Sequence, residues 1–451
     1  MVDNKYLVVG AGRSGKEAAK LILEKGEKAV IYDGNKNFSV EEFIKKNPNL
    51  KHMDYLKGNI EKKDLLGIKE AILSPGVPID SDIVKFLRQN NIKVIGEVEF
   101  AFENSKGDLI GITGTNGKTT TTALTGEIFK NHFKEVFVVG NIGIPYTSVA
   151  LKTKDNSKTV AEISSFQLES IEKFHPHVSA ILNVTPDHLN RHHTFLNYLH
   201  MKERITENQN EDDICILNYD DKNLYEFSKK LKCKIFYFSV EKKLEKGMFY
   251  ENNAIYYADG EKITKVIEED ELNIIGLHNI ANAEAAIAIA ISFNIPMDEI
   301  RKGLKSFKAV EHRIEYVTTK RGIKFYDDSK GTNPDASIKA VMAIKEPIIL
   351  IAGGYDKKIS YDDFVDTFPN RVKKVILMGD TKDEIKKSCD RIGFKDYEFA
   401  KDLKEAVDLC YKAANKGETI LLSPASASWD MFKSYEERGD LFKECVRKLP
   451  E

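Results

Sequence analysis

Short apolar runs of strand length recur along this chain, and between most of them lie longer segments whose apolar residues return at helical spacing. Before Gly96 the runs are YLVVGAG, KAVIYDG, EAILSPG and IKVIGEVE. This alternation predicts a parallel sheet with its ligand at the carboxyl ends of the strands. SPGVP, residues 74–78, is a turn at one such end.

A second unit begins near Gly96. DLIGITGTNGKTTTTALTGEIF reads as strand, glycine-rich loop and helix, and EVFVVGN, KTVAEISSF, VSAILNV, DICILNY and KIFYFS follow as further strands. FYENNAIYYADGEKITKVI alternates apolar and polar positions between turn residues, as antiparallel strands do. The alanine-rich HNIANAEAAIAIAISF predicts a helix that closes this unit. From Phe307 onward, GIKFYDDS, PIILIAGG, KKVILMG and ETILLSP alternate with helical segments and predict another parallel sheet. The expected fold class is α/β, with three domains in series over residues 1–96, 97–306 and 307–451.

Composition agrees with that division. A chain of 451 residues exceeds one core, and about 150 residues per domain gives roughly three. With 42% apolar residues, 31% charged residues and a net charge of −2, the chain reads as a soluble globular protein, and no basic region suggests a nucleic-acid partner. The lysine-rich runs at 229–234 and 240–247 read as solvated faces. Five scattered cysteines without a CxxC spacing suit a reducing cytosol and give no support to a zinc site. No window approaches the ~20 apolar residues of a membrane span, and the opening MVDNKYLVVG has no signal-peptide character. A cytoplasmic protein, not inserted in a membrane, is expected.

Two glycine-rich loops carry the candidate chemistry. In YLVVGAGRSG, Gly10, Gly12 and Gly15 lie between a strand and a helix, and Asp33 ends the next strand. That pattern would suit a nicotinamide dinucleotide, but a loop with a helix terminus binds any diphosphate. The more specific loop is GITGTNGKTT, residues 111–120. Glycines at 114 and 117 let the backbone approach phosphates, Lys118 neutralises their charge, and the Thr119 hydroxyl can hold Mg²⁺. The strict phosphate-loop pattern wants glycine where Ile112 stands. The central domain is therefore expected to be P-loop ATPase-like, with a mostly parallel sheet, between two Rossmann-like domains.

Other residues admit two readings each. Glu162, in an otherwise apolar strand, is either a buried hydrogen-bonded carboxylate or a strand-end metal ligand beside the phosphate loop. His188 follows an apolar strand, where a lone histidine is commonly structural. Lys202 falls on the stripe of Phe195, Tyr198, Leu199 and Ile205 and would ordinarily snorkel to water. Asn279 and Asn282, three apart on one helix, could meet an adenine or its phosphates, while Asn279 could equally cap the helix.

TGTNGKTT, GNIG, AEISSFQLES and LNVTPDHLNRH, continued by LHNIANAEAA, EHRIE, DDSKGTNPDAS and LLSPASASWDMFKSYEERGDLF, resemble the Mur ligases of peptidoglycan synthesis in order and over essentially the whole chain. SSFQL, DSKGTN and SPASAS most resemble the D-glutamate-adding branch. The resemblance implies ligation of D-glutamate to UDP-N-acetylmuramoyl-L-alanine, with ATP and two Mg²⁺ ions, by a monomer. ATP would meet Gly114, Thr115, Asn116, Gly117, Lys118, Thr119, Thr120, Asn279, Asn282, Arg313 and Asp328. Lys118, His188 and Lys202 would be catalytic, and Thr119, Glu162, His188 and a carbamylated Lys202 would hold the metal. Arg13, Ser14, Asp33, Ser74, Asn141, Ser164 and Gln167 would meet the UDP-sugar. Lys330, Thr332, Lys357, Ser428 and Tyr435 would hold the amino acid, with Lys358 competing with Lys357. A sister ligase, a nucleotide-binding protein without turnover and, remotely, an oxidoreductase are the alternatives.

Overall fold

The computed structural model describes residues 4–141, 143–308 and 310–451. The chain divides into two compact units, one running to Glu269 and including Ala281–Lys305, the other comprising Asp270–Ile280 and Ser306–Glu451.

The first unit contains two sheets. Strands β1 (Lys5–Val9), β2 (Lys28–Asp33), β3 (Asp54–Lys57), β4 (Ile68–Leu73) and β5 (Lys93–Gly96) form an all-parallel sheet in the order β3-β2-β1-β4-β5. The order reverses at β1, so a crevice opens at the carboxyl ends of β1 and β4, where Gly10 and Ser74 lie. The second sheet holds β6 (Asp108–Thr113), β7 (Val136–Gly140), β8 (Lys158–Glu162), β9 (Val178–Ile181), β10 (Ile214–Asn218), β11 (Lys234–Ser239), β12 (Lys246–Glu251), β13 (Ala254–Asp259) and β14 (Ile263–Glu268). Its order is β14-β13-β12-β11-β10-β9-β6-β8-β7, parallel from β7 to β12 and antiparallel through the β12–β14 meander. The expected antiparallel segment is thus present.

The expected strand IKVIGEVE is not one strand. It ends at Gly96, and Glu97–Glu103 is a helix. Two acids there are buried because each receives backbone donors. Glu97 accepts from the Thr147 N–H (3.0 Å) and hydroxyl (2.7 Å). Glu99 accepts from the N–H groups of Glu172, Lys173 and Phe174 at 2.7–2.9 Å. Apolar residues of both sheets, such as Tyr6, Ile95 and Leu109, and of the helical segments packed on them, such as Tyr146 and Tyr198, belong to one continuous core.

The second unit holds β15 (Glu315–Lys320), β16 (Ile323–Asp327), β17 (Ile348–Ala352), β18 (Val372–Leu377), β19 (Tyr397–Phe399) and β20 (Thr419–Leu422), ordered β15-β16-β20-β17-β18-β19. The sheet is parallel except at its edge. There β15 pairs antiparallel with β16 through a turn whose central residues, Arg321 and Gly322, both have positive φ. No helix among the described residues is long and apolar enough to cross a membrane.

Candidate active site

The first glycine-rich loop is tightly braced. Gly10 lies at φ 97°, and a Cβ on Gly15 would come 1.9 Å from the Gly10 carbonyl oxygen, so helix Arg13–Glu24 packs as only glycine permits. Ser74 donates to the Gly10 carbonyl (3.0 Å) across the crevice. The Asp33 carboxylate accepts from the N–H groups of Ala11 (3.1 Å) and Asn35 (2.9 Å). Arg13, exposed, and Ser14 occupy the first turn of the helix.

The second loop joins β6 to helix Lys118–His132. Gly114 (φ 154°) and Gly117 (φ 88°) adopt conformations that a side chain resists, and a Cβ on Gly117 would lie 2.1 Å from Asn282 Oδ1. Asn282, buried on helix Leu277–Ser292, also accepts from the Thr121 hydroxyl (3.3 Å). Thr115 and Asn116 are clamped by the loop after β9. Thr115 Oγ1 bonds with Thr185 and the Tyr198 hydroxyl, and Asn183 pairs with the Asn116 backbone. Thr119 and the buried Thr120 lie in the first helical turn.

Lys118 Nζ donates to the carbonyls of Gly114 (2.7 Å) and Thr115 (2.9 Å), and Lys202 Nζ donates to the same Gly114 oxygen (2.7 Å). Lys202 does not snorkel. Helix Phe195–Glu203 turns it inward, 1% exposed, beneath the loop. Burial and then the Lys118 charge push its pKa well down, with Asp187 and Glu162 opposing. Glu162 ends β8, is buried, and accepts from the Asn141 amide (3.0 Å). His188, at φ 51°, packs edge-on against Phe166, and burial holds its pKa below the usual histidine value despite Asp187, with Lys118 and Lys202 reinforcing the shift. The Glu162 carboxylate and the Thr119 hydroxyl are oxygen ligands of the kind a hard divalent cation takes, and the His188 imidazole offers a nitrogen. An ammonium at Lys202 does not fit, but its carbamate would.

Three of the residues expected at the UDP-sugar lie in this central region rather than at the first loop. Asn141 holds Glu162, while Ser164 and Gln167 form a capping box on helix Ser165–Leu168.

In the second unit, Asn279 donates to the Ile275 carbonyl (2.9 Å), which is not a helix-capping geometry. Asp328 is buried, accepts from Ser423 Oγ (2.7 Å) and Ile314 N (3.3 Å), and is pushed up to about 7 by burial, with Ser423 and Arg313 opposing. A pocket of about 330 Å³ is lined by Thr332, Lys357, Ser428, Trp429, Tyr435 and Glu436, among others. Lys330 Nζ lies 5.7 Å from the Tyr435 ring. Lys357 donates to the Thr332 carbonyl (3.3 Å) and lies 5.5 Å from the Trp429 ring, whereas Lys358 is solvated and paired with Asp356 (2.6 Å). The geometry favours Lys357 as the pocket cation.

Two structural supports were not apparent in the sequence. Arg438, 1% exposed, binds Ser329 and the carbonyls of Ser426 and Ala427 behind the pocket, and Trp429 forms its wall. A lone arginine in EERG carries no signal of burial. His312, Glu315 and Asp327 form a separate donor cluster, which Lys443 Nζ already approaches at 3.3 Å from Glu315.

Family models match in series along the chain. A MurD-like N-terminal domain of Mur ligases matches residues 4–96, a Mur ligase middle domain 112–290, and a Mur ligase glutamate ligase domain 312–426. The UDP-N-acetylmuramoylalanine--D-glutamate ligase of Lachnoclostridium phytofermentans is 51% identical over 99% of both chains. The enzyme of the same name from Lachnospira eligens is 47% identical, again over 99% of both. Among solved structures, MurC of Thermotoga maritima aligns with a TM-score of 0.62 at 19% identity over 98% of this chain and 99% of that one. MurF of the same organism, in complex with ADP, aligns with a TM-score of 0.61 at 18% identity over 94% and 96%.

Proposed function

The chain belongs to the Mur ligase family, and from that premise we propose that it joins D-glutamate to UDP-N-acetylmuramoyl-L-alanine, converting ATP to ADP and phosphate in peptidoglycan precursor synthesis. The observation that carries the reading is the convergence of Lys118, Glu162, His188 and Lys202 around one phosphate loop. Near-complete alignment with D-glutamate ligases supplies the substrate pair.

The reaction runs in two steps. The terminal carboxylate of the acceptor attacks the γ-phosphorus of ATP, giving an acyl phosphate and ADP. The amine of D-glutamate then attacks that carbonyl, a proton leaves the nitrogen, and phosphate departs as the amide forms. Lys118, released from the Gly114 and Thr115 carbonyls, neutralises the phosphate charge. Asn279, Asn282, Arg313 and Asp328 hold the nucleotide. Arg13, Ser14, Asp33 and Ser74 cradle the uridine diphosphate, and Asn141, Ser164 and Gln167 complete the UDP-sugar site. Lys330, Thr332, Lys357, Ser428 and Tyr435 orient D-glutamate, and two cations in this set suit a dicarboxylate.

Mg²⁺ would be held by Thr119, Glu162, His188 and Lys202, the last as a carbamate, and two ions would spread the charge of the transferring phosphoryl group. Burial and the neighbouring Lys118 charge push the Lys202 pKa well down, which supports the carbamate, since only the unprotonated amine adds to CO₂. Domains over 1–96, 97–306 and 307–451 would carry acceptor, nucleotide and amino acid respectively, in a cytoplasmic monomer. In the test, Lys118→Ala should lower phosphate release on the order of 10²-fold or more, while the unfolding midpoint stays near the parent's. Undiminished turnover would refute the assignment.

A further inference from the structure

Arg191 lies outside both glycine-rich loops, yet it reaches connections that follow strands of both sheets in the first unit. Its Nη2 donates to the carbonyls of Val77 (3.1 Å) and Pro75 (3.4 Å), in the turn that leaves β4 at the crevice of the first sheet. The same guanidinium grips Glu169 in two places, Nη2 to Oε2 at 2.6 Å and Nε to Oε1 at 3.1 Å. Only 12% of the arginine side chain and 6% of the glutamate side chain are exposed. The guanidinium carbon stands 4.7 Å from the Phe166 ring centroid, and that ring meets the His188 ring edge-on with centroids 4.9 Å apart. The backbone N–H of Arg191 closes the turn by donating to the His188 carbonyl (2.9 Å).

A buried planar fork that divides its donors between the turn after β4 and the connection from β8 to β9 fixes their separation in a way a point charge cannot. We propose that Arg191 is a positioning residue that couples occupancy of the Gly10–Ser74 crevice to the placement of His188. A diphosphate in the crevice would hold the 74–78 turn. The Pro75 and Val77 carbonyls would then hold Arg191, and Phe166 would pass the constraint to the imidazole. This rests on the ligase reading, in which the crevice takes uridine diphosphate and His188 faces a divalent cation.

The test measures Mn²⁺ binding by electron paramagnetic resonance in the presence of ADP, with and without UDP-N-acetylglucosamine. That probe carries the nucleotide handle but no reacting carboxylate. The parent should bind Mn²⁺ about fivefold or more tightly when the probe is present, and by linkage Mn²⁺ should tighten probe binding equally. Arg191→Lys should bring both ratios near one. The double variant Arg191→Gln with Glu169→Gln, which leaves no buried charge unpaired, should do the same if the lysine variant does not fold. Equal ratios in parent and variant, or a ratio of one in the parent, would overturn the proposal. A parent that binds the probe and Mn²⁺ but releases no phosphate with its full substrate set would sink the ligase reading instead.

Discussion

Protonated, Lys202 would be a charge at 1% exposure beside a second lysine, met by the Gly114 carbonyl, the Thr113 hydroxyl and the Tyr198 ring at 4.8 Å. Such a charge is costly unless it is neutralised. Lys202→Met, close in volume and uncharged, should therefore keep or raise the unfolding midpoint while phosphate release collapses. A midpoint lowered by several degrees with turnover retained would show the lysine to be merely structural. The sequence placed Lys202 on an apolar stripe but could not say whether its end turned inward. That depends on the Gly114 carbonyl it meets, 88 positions away in the sequence. Asp33 and Ser74 show the converse limit. Their types suit a ligand, and in the fold each also braces the glycine-rich loop.

Among the elements, helix Leu277–Ser292 contains an internal tension. It is apolar nearly all round, yet Glu284 is fully buried within it, both carboxylate oxygens lack a hydrogen-bond partner, and burial, followed by Asp220, raises its pKa well above the ordinary value of 4.5. A carboxyl whose folded pKa is raised contributes stability below about pH 4.5, and that contribution is lost as pH rises toward the folded value. Glu284→Leu should therefore stabilise the chain by about 1–3 kcal/mol near neutral pH, and the gain should grow between pH 5 and pH 8. Thermal unfolding across that range checks it, and a pH-independent or negative effect would contradict it. The elements most legible in the sequence were those with long apolar runs, such as β6, β17 and β20. The short polar β3 (DYLK) and the three-residue β19 offered no period to read. The run IKVIGEVE does not show that a helix starts at Glu97, because the acids at 97 and 99 are buried by donors 50 or more residues away.

Over the whole molecule, the two phosphate-type loops lie in the first unit and the cationic pocket in the second. The three-part α/β architecture and the phosphate loop could be read because turn glycines and strand-end polar residues are local. The identity of the pocket cation could not, because Lys357 and Lys358 are neighbours in sequence and differ only in where the backbone points them. The reading requires the three ligands to be used together. The direct test is phosphate release from Mg-ATP, with and without UDP-N-acetylmuramoyl-L-alanine, supplying D-glutamate, L-glutamate, L-alanine or a diamino acid in turn. Release that needs both the acceptor and D-glutamate is the predicted result. Release with a different amino acid, or none with any, would contradict it.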